Sequence, residues 1–199
     1  ICKICEQESF KVFQAKLLNK NESDAGYVSR NISLSEKTIF YFNSIQKKSK
    51  FLDYDGGHGL AVSLLRDYGL DFYWYDKYAK NIFSTGFEYC NQDIKALTCF
   101  ECFEHFVNPR LELEKTLNIS SNVFFSTTLI GDEVTHQSWW YYGFNHSQHI
   151  ALYSEKTLKY LAKKYNLFLY SNGHDLHLLT KYPLNPFYFK ILIKLGLFP

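Results

Sequence analysis

Short apolar segments alternate with amphipathic segments along most of the chain, and this alternation predicts β-strands separated by helices. The predicted strands are the pair Phe51-Leu52, Phe72–Tyr75, Ala96–Phe103, Asn122–Ile130, Leu167–Tyr170 and Leu176–Tyr182. The predicted helices are Leu60–Tyr68, Pro109–Leu117 and one capped by Ser154. Ala79–Tyr89 is predicted as a short helix and connection, with at most a very short third strand. The pattern predicts a doubly wound, Rossmann-like α/β fold, with a mostly parallel sheet and a C-terminal antiparallel strand pair.

One further helix is predicted on each side of this region. Ser33 and Glu36 have the spacing of a capping box, and an apolar helix face follows them. Near the C-terminus, Asn185-Pro186 begins an amphipathic helix with Lys190 and Lys194 on one face. Its apolar residues would pack on the domain, form a homodimer or lie on a membrane surface. We favour packing or a homodimer.

Composition narrows the classes of protein and partner. The 199 residues suit one domain, and the net charge of +2 without a long basic run argues against a nucleic-acid partner. Cys99 and Cys102 lie in a predicted buried strand, which indicates reduced thiols and a cytoplasmic protein. We find no signal peptide, and no apolar run reaches the roughly 18 residues of a transmembrane segment. The sequence contains no Met and begins with Ile1, so we expect its true N-terminus upstream.

A glycine-rich turn between the first two strands predicts a nucleotide-binding site. Gly56, Gly57 and Gly59 follow the first strand, and Asp76 ends the second. Glycines let the backbone approach a ligand, a helix N-terminus offers unpaired N–H groups, and a strand-end acid can accept two ribose hydroxyls. A dinucleotide site needs a small residue where this chain has Val62. The spacing therefore favours an adenosine site of the S-adenosylmethionine kind.

Several blocks of sequence also resemble a known family. They are Leu52–Leu60, Asp71–Tyr78, Phe100–Phe106 and Gln148–Ser154, after the lead-in Asp24–Asn31. In this order they resemble the class I S-adenosylmethionine-dependent methyltransferases, and most closely the branch found with glycosyltransferases and sugar-modifying enzymes. The resemblance implies a methyltransferase domain at residues 31–183. A truncated N-terminal segment would occupy residues 1–30, and an amphipathic helix residues 184–199.

The resemblance implies a set of cofactor-binding residues: Asp53, Asp55, Gly56, Gly57, Gly59, Asp76, Lys77, Tyr78 and Glu101. Asp76 would hold the ribose hydroxyls, with Lys77 beside it, and Tyr78 would cover the adenine. Glu101 would bind the cofactor's amino group or the acceptor. The glycine-loop residues also fit a purely structural role, since an ordinary turn between a strand and a helix has a similar sequence.

The chain departs from the family at two places. The family has a glycine where this chain has Asp55, and a carboxylate there would repel the carboxylate of the cofactor's methionine end. Alternatively, the loop shifts or the side chain points at a cationic group. Relatives often begin with a zinc-ribbon-like module that carries two cysteine pairs, of which this chain has only Cys2 and Cys5.

The candidate catalytic residues lie in two segments: Glu104 and His105 follow the predicted strand Ala96–Phe103, and His149 ends the aromatic loop. Glu104 and His105 lie where doubly wound sheets bind ligands, and His149 is our preferred base because imidazole titrates near neutral pH. His105 is equally suited to fixing its own loop, and His149 to a structural hydrogen bond. The candidate substrate-binding residues are Trp139, Trp140, Tyr141, Tyr142, His146 and Gln148. The aromatic rings of this loop would stack on a sugar, or Trp139–Tyr142 would form a packed lid.

We predict no metal site. His136, His146 and His149 lack a carboxylate at ligand spacing, and strand alternation would point the Cys99 and Cys102 side chains to opposite faces.

The functional hypothesis from the sequence is a cytoplasmic methyltransferase that transfers a methyl group from S-adenosylmethionine to a small hydroxylated acceptor. The resemblance and the aromatic loop point to a sugar or nucleotide-sugar of surface-polysaccharide biosynthesis. The alternative is a non-catalytic binding or scaffolding module, suggested by Asp55.

Overall fold

A six-stranded mixed sheet with helices on both faces forms the fold in the computed structural model, which describes residues 26–45, 48–131, 139–142 and 149–195. The strands are β1 Lys50–Tyr54, β2 Asp71–Tyr75, β3 Ile94–Cys99, β4 Asn122–Ser126, β5 Phe168–Ser171 and β6 Leu176–Thr180. The helices are α1 Tyr27–Ser44, α2 Leu60–Asp67, α3 Pro109–Ile119, α4 Glu155–Lys164 and α5 Pro186–Leu195. Short 3₁₀ turns cover Phe103–His105 and Trp140–Tyr142.

The sheet has the order β2-β1-β3-β4-β6-β5, and its first four strands are parallel. The last two pair antiparallel, β6 with both β4 and β5. The prediction of a doubly wound, mostly parallel sheet closed by an antiparallel pair is therefore confirmed. The chain reverses its direction of winding between β1 and β3, so their carboxyl ends form the switch point at which such folds bind ligands.

Each face of the sheet has its own apolar core. On one face, α1, α2 and α5 cover Phe51, Phe72 and Phe124, all of which are buried. On the other face, α3 and α4 place Leu113 and Leu158 in a second buried cluster with strand residues. Burial on both faces explains why the parallel strands are continuous apolar runs instead of alternating ones.

The predicted start of the first helix is wrong. The helix α1 begins at Tyr27, so Ser33 and Glu36 lie inside it and form no capping box. The backbone carbonyls of its first turn are bonded by side chains instead: Ser29 Oγ donates to Gly26 O, and Asn31 Nδ2 donates to Tyr27 O. A Ser-x-x-Glu spacing also occurs inside helices, and here the upstream residues continue the helix.

The predicted helix at Ala79–Tyr89 is also wrong. An isolated parallel bridge between Trp74 and Glu88 is all that forms there in place of a third strand. The Asn81 side chain bonds the Ser84 carbonyl, the Ser84 N–H and Glu88 Oε1, at 2.8–3.0 Å. These local bonds give the backbone an alternative to a helix.

The strands β3 and β4 end earlier than predicted, at Cys99 and Ser126 instead of Phe103 and Ile130. Glu101 has φ of 54°, in the left-handed region, so the extended run cannot continue through it. As a result the expectation for Cys99 and Cys102 is wrong. Both side chains lie in the same buried cluster and do not point to opposite faces of the sheet.

The C-terminal helix α5 packs on the rest of the domain. Phe189, Leu192 and Ile193 of α5 are buried against α1 and the sheet, which confirms that this helix packs on the domain. Phe187, Lys190 and Lys194 lie on its exposed side. Among the helices of the described residues, none has the length and apolar character needed to cross a membrane.

Candidate functional site

The glycine loop connects β1 to α2 and is shaped by the buried acid that precedes it. Asp53 is 2% exposed and accepts a hydrogen bond of 2.5 Å from Thr98 Oγ1 of the neighbouring strand. A Cβ atom added at Gly56 would lie 2.5 Å from Asp53 Oδ2, so the close approach of carboxylate and backbone requires a glycine there. Burial raises the pKa of Asp53 to about 7, and the nearby charge of Asp76 adds to this effect.

A second segment packs directly on the glycine loop. Gly59 has φ of 86° and is the residue before α2, where an added Cβ would collide with the side chains of Ser84 and Asn81. The His58 carbonyl accepts hydrogen bonds from Ile82 N and Phe83 N, both at 3.0 Å. These glycines therefore meet packing requirements of the fold as well as any requirement of a ligand.

Asp76, at the end of β2, is bonded to the glycine loop. Its Oδ2 accepts a hydrogen bond of 2.8 Å from Gly57 N, and its Oδ1 accepts bonds of 2.7 Å from Tyr78 N and Ala79 N. The ring of Tyr78 is partly exposed, with Lys77 Nζ 5.1 Å from its centre. The three predicted residues 76–78 are thus brought to the tip of the glycine loop. A ligand's hydroxyls would share the Asp76 oxygens with backbone N–H groups.

Tyr27 is a site residue that the sequence analysis did not identify. It is the first residue of α1, and its hydroxyl accepts a hydrogen bond of 3.3 Å from His58 N in the glycine loop. Burial raises the pKa of Tyr27, and the charges of Asp53 and Asp76 act in the same direction. The sequence feature that could have identified Tyr27 is its position in the segment Asp24–Asn31, which is part of the resemblance.

Asp55 adopts a backbone conformation that suits glycine. Its φ is 55°, in the left-handed region that side chains other than Asn and Asp rarely occupy. Burial raises its pKa to about 7, and the charges of Asp76, Glu112 and Asp53 contribute. The negative charges of Asp53 and Asp76, which lie outside the loop, therefore act on the Asp55 carboxylate, and a bound cation would relieve that repulsion.

Glu101 lies between the ends of β3 and β4. Ser126 Oγ, from the last residue of β4, donates to Glu101 Oε1 at 2.7 Å and accepts from Glu101 N at 2.8 Å. One carboxylate oxygen of Glu101 is thus fixed at the switch point.

Glu104, His105 and His149 meet in space, although 44 residues of sequence separate His105 from His149. Each offers one potential ligand atom, and these atoms all lie within 4.8 Å of one another. The His105 and His149 ring centres are 5.2 Å apart. The Glu104 carbonyl accepts hydrogen bonds from Ile150 N at 2.8 Å and Ala151 N at 3.0 Å, which hold the two segments together.

The carboxyl group of Glu104 is completely buried, and neither oxygen has a hydrogen-bond partner within the described residues. The hydroxyls of Thr127 and Tyr141 lie close enough to oppose the rise in its pKa, but they bond each other at 3.0 Å. Burial raises the pKa of Glu104 to about 8, with a further contribution from the charge of Glu101. A buried carboxyl without a partner is costly, so Glu104 is a candidate functional residue.

The orientation of His149 is fixed by a backbone carbonyl. Its Nδ1 is 2.5 Å from Tyr141 O, and because a carbonyl only accepts, Nδ1 carries the proton. In the neutral form of this ring, the other nitrogen, Nε2, carries the lone pair that a base or a metal ligand needs.

One premise of the metal prediction is wrong. A carboxylate does accompany His149 at ligand spacing, because the fold brings Glu104 beside it. His136 and His146 lie outside the described residues, as do Gln148, Cys2 and Cys5.

The aromatic loop contributes both packing and exposed rings. Tyr141 is 1% exposed, and its hydroxyl accepts a hydrogen bond of 2.9 Å from Thr128 N. Trp140 is 73% exposed, and Trp139 packs on Tyr141 and Tyr142. Within the described part of this loop, Trp140 has the ring most accessible to a ligand.

The segment that carries Glu104 and His105 contacts the glycine loop. Cys102, two residues before Glu104, has its Sγ 3.7 Å from the Asp55 carbonyl. The pKa of the Cys102 thiol is raised by the neighbouring Cys99 and by burial, with smaller contributions from the charges of Asp55 and Glu104. The segment that carries the buried carboxyl is therefore adjacent to the glycine loop.

Comparison with known proteins gives a family and a fold. A family model described as a methyltransferase domain matches residues 27–172. Comparison with curated proteins gives no match. Among solved structures, the plantazolicin methyltransferase BpumL, in complex with a monoazolic desmethylPZN analog and SAH, has a TM-score of 0.59 at 15% identity, over 90% of this chain and 97% of that one.

Two further solved structures are similar. The plantazolicin methyltransferase BamL, in complex with a triazolic desmethylPZN analog and SAH, has a TM-score of 0.58 at 13% identity, over 89% of this chain and 97% of that one. The mitomycin 7-O-methyltransferase MmcR has a TM-score of 0.53 at 12% identity, over 77% of this chain and 55% of that one. This chain thus spans about half the length of MmcR. At these identities the likeness concerns the fold.

Proposed function

The chain belongs to the methyltransferase-domain family of S-adenosylmethionine-dependent enzymes, and we propose that it methylates a hydroxyl group of a small acceptor. The observation that supports this most directly is the cluster of the buried Glu104 and two imidazoles, carried in part by the segment that contacts the glycine loop. Family membership accounts for a cofactor at that loop. The cluster provides groups that can activate an acceptor.

The residues of the loop fit the charge of the cofactor. S-adenosylmethionine supplies an electrophilic methyl group on a cationic sulfur, next to a cationic amino group. Asp53 and Asp55 are both strained by burial and mutual repulsion, as their raised pKa values of about 7 indicate. A cation between them restores favourable electrostatics. We propose that Asp76, Lys77 and Tyr78 hold the adenosine part, and that Gly56, Gly57, Gly59 and Glu101 border the methionine part.

His149 is the proposed base. Methyl transfer is an in-line displacement, so the chain's main task is to align the donor with the acceptor, and a base is needed only for a weakly acidic hydroxyl. The bond from Nδ1 to Tyr141 O orients the ring and makes Nε2 the nitrogen that accepts the proton in the neutral form. Glu104 and His105 would orient the acceptor beside it.

For the acceptor we propose a sugar or a nucleotide-sugar. The exposed ring of Trp140 suits stacking on a sugar face, with Trp139 and Tyr142 packed beside it. His146 and Gln148 remain proposed partners for its hydroxyls. The resemblance to the branch found with glycosyltransferases supports a role in polysaccharide biosynthesis. The mitomycin 7-O-methyltransferase, by its name, methylates an oxygen atom. We use phenols as the comparison set for the sugar hydroxyls.

Several features of the hypothesis stay predictions. They are the domain limits of 31–183, the origin of residues 1–30 from a cysteine-pair module, the cytoplasmic location and a homodimer through the C-terminal helix. Each is independent of the chemistry of the site.

The first experiment is calorimetric titration of the folded chain with S-adenosylhomocysteine. We expect micromolar binding by the wild type and its loss in Asp76→Ala, with Asp71→Ala as the matched control at the other end of β2. Mass spectrometry after incubation with S-adenosylmethionine and a panel of sugars, nucleotide-sugars and phenols then identifies the acceptor. Methylation of phenols alone would contradict the sugar proposal. No binding of S-adenosylhomocysteine at millimolar concentration would contradict the enzyme proposal.

A further inference from the structure

We propose that Glu104, His105 and His149 form a binding site for one divalent transition-metal ion such as Zn²⁺ or Co²⁺. The proposal deepens the function above: the ion's catalytic role rests on the proposed methyl transfer, whereas its binding does not.

The spacing of the three groups fits a single ion. Their ligand atoms lie within 4.8 Å of one another. Ligands bound tetrahedrally to one ion at about 2.1 Å are about 3.4 Å apart from one another. The site would therefore close by up to about 1.4 Å, which changes in the side-chain torsions of the three residues can supply.

The Glu104 carboxyl is the independent observation that points to a cation. It is fully buried, it is next to two imidazoles, and neither of its oxygens has a hydrogen-bond partner among the described residues. Buried carboxylates in proteins are normally hydrogen-bonded, paired with a charge or bound to a metal. An ion at this position would supply the partner that the carboxyl lacks.

The surroundings of His149 resemble those of a metal ligand. Imidazoles that bind a metal usually donate their other ring N–H to a carbonyl or a carboxylate. His149 Nδ1 makes such a bond with Tyr141 O, which leaves Nε2 to coordinate.

The backbone around the cluster is also fixed before any ion binds. Ile150 N and Ala151 N both donate to the Glu104 carbonyl, and His105 N donates to Cys102 O at 2.9 Å. Tyr153 OH donates to the Phe103 carbonyl at 3.0 Å. These bonds join the two segments on either side of the cluster, so little ordering is needed on binding.

The donor set indicates which ion would bind. Two imidazoles and one carboxylate suit Zn²⁺, Co²⁺ and related ions, whereas Mg²⁺ and Ca²⁺ prefer sites made of oxygen. Three protein ligands leave one coordination position open. An acceptor oxygen bound there would become more acidic, and the ion would replace the His149 imidazole as the activating group.

The test is a spectroscopic titration of the metal-stripped full chain with Co²⁺, in a background with Cys2→Ser and Cys5→Ser so that these thiols do not contribute. We expect one equivalent to bind with micromolar or tighter Kd and to produce visible ligand-field absorption. Glu104→Gln and His149→Asn should each weaken binding at least about tenfold. Asn at position 149 keeps a donor near the position of Nδ1 and removes Nε2. His174→Ala, at an exposed histidine, is the matched control and should leave binding unchanged.

No binding at millimolar Co²⁺, or binding that survives both cluster substitutions, would overturn the proposal. Titration of the same metal-stripped protein with S-adenosylhomocysteine separates the two hypotheses. Retained cofactor binding without metal binding would reject the ion and leave the methyltransferase function. Metal binding without cofactor binding would support the ion site and reject the methyltransferase function.

Discussion

The backbone N–H of Gly57 donates a hydrogen bond to Asp76 Oδ2 at 2.8 Å, which joins the glycine loop after β1 to the end of β2. The same carboxylate accepts bonds from Tyr78 N and Ala79 N. A residue predicted as a ligand contact therefore also fixes the shape of its own binding site.

Replacing Asp76 should affect both stability and binding. Asp76→Ala leaves three backbone N–H groups without their acceptor, and we expect the free energy of unfolding to fall by about 1–3 kcal/mol. Binding of S-adenosylhomocysteine should be lost. Urea denaturation and calorimetry measure the two effects.

Asp71→Ala provides the comparison within the same strand. Asp71 pairs with Arg66 at 2.7 Å on the surface, where such pairs contribute about 0–1 kcal/mol. Cofactor binding should not change. Equal loss of binding in both variants would show that Asp76 has no specific role.

Asp55 allows its charge and its backbone conformation to be tested separately. Asp55→Asn removes the charge at a φ of 55° that Asn tolerates, whereas Asp55→Gly also relieves the backbone, with a gain of about 1 kcal/mol in stability. If the side chain attracts the cationic cofactor, both variants should bind S-adenosylmethionine less tightly relative to neutral S-adenosylhomocysteine.

Competition binding with the two ligands measures that ratio. Tighter binding of both ligands by Asp55→Gly would instead mean that the acid repels the cofactor's carboxylate. In either case, removing the Asp55 charge should have its largest effect on ligand binding above pH 7. The raised pKa means that the cost of the folded Asp55 carboxylate develops between about pH 4 and pH 7.

His177 should make the fold less stable in acid. It is fully buried, its Nε2 is 3.0 Å from Thr127 O, and burial lowers its pKa to about 4. The unfolded chain takes up this proton near pH 6.5 and the folded chain does not, so stability falls as the pH drops from 6.5 to 4. The expected loss is roughly 2–3 kcal/mol.

Urea denaturation at several pH values measures this loss. His177→Gln should remove most of this pH dependence, although the variant is less stable at neutral pH. His174→Ala, at an exposed histidine on the turn between β5 and β6, should keep it. An unchanged pH profile in His177→Gln would assign the acid sensitivity to other groups.

Neighbouring positions on α5 separate packing from self-association. Phe189 is 1% exposed and lies against Phe124 and Tyr170, so Phe189→Ala should lower the free energy of unfolding by about 3–5 kcal/mol. Phe187 is 71% exposed, and Phe187→Ala should have little effect on the monomer. If the helix mediates a homodimer, Phe187→Ala should weaken it. Light scattering measures the mass, and a monomeric wild type would refute the dimer.

The fold was predictable because the parallel strands are short apolar runs with turn residues between them. The glycine loop and Asp76 were predictable as well, since both sides of that contact follow adjacent strands in a recognisable order. The local backbone conformation at single residues limited the prediction of strand ends and side-chain directions. The left-handed Glu101 ended β3 early and so brought Cys99 and Cys102 together, which strand alternation could not anticipate.

The remaining site contacts depend on residues far apart in sequence. Tyr27 reaches His58 across 31 positions, and no local pattern predicts such a bond. Glu104 and His105 were visible as a pair, but their association with His149 depends on the bonds from Ile150 and Ala151 to the Glu104 carbonyl. The sequence provided the three chemical groups, and tertiary hydrogen bonds determine that they form one cluster.

Those two bonds also determine when the site forms during synthesis. The glycine loop, Asp76 and Glu104 all leave the ribosome before residue 149, and β4 can join the sheet before α4 exists. The cluster is complete only after the segment around Ile150 has docked on the Glu104 carbonyl. Because contacts between distant residues form slowly, a nascent chain that already has its glycine loop would still lack the assembled cluster of Glu104, His105 and His149.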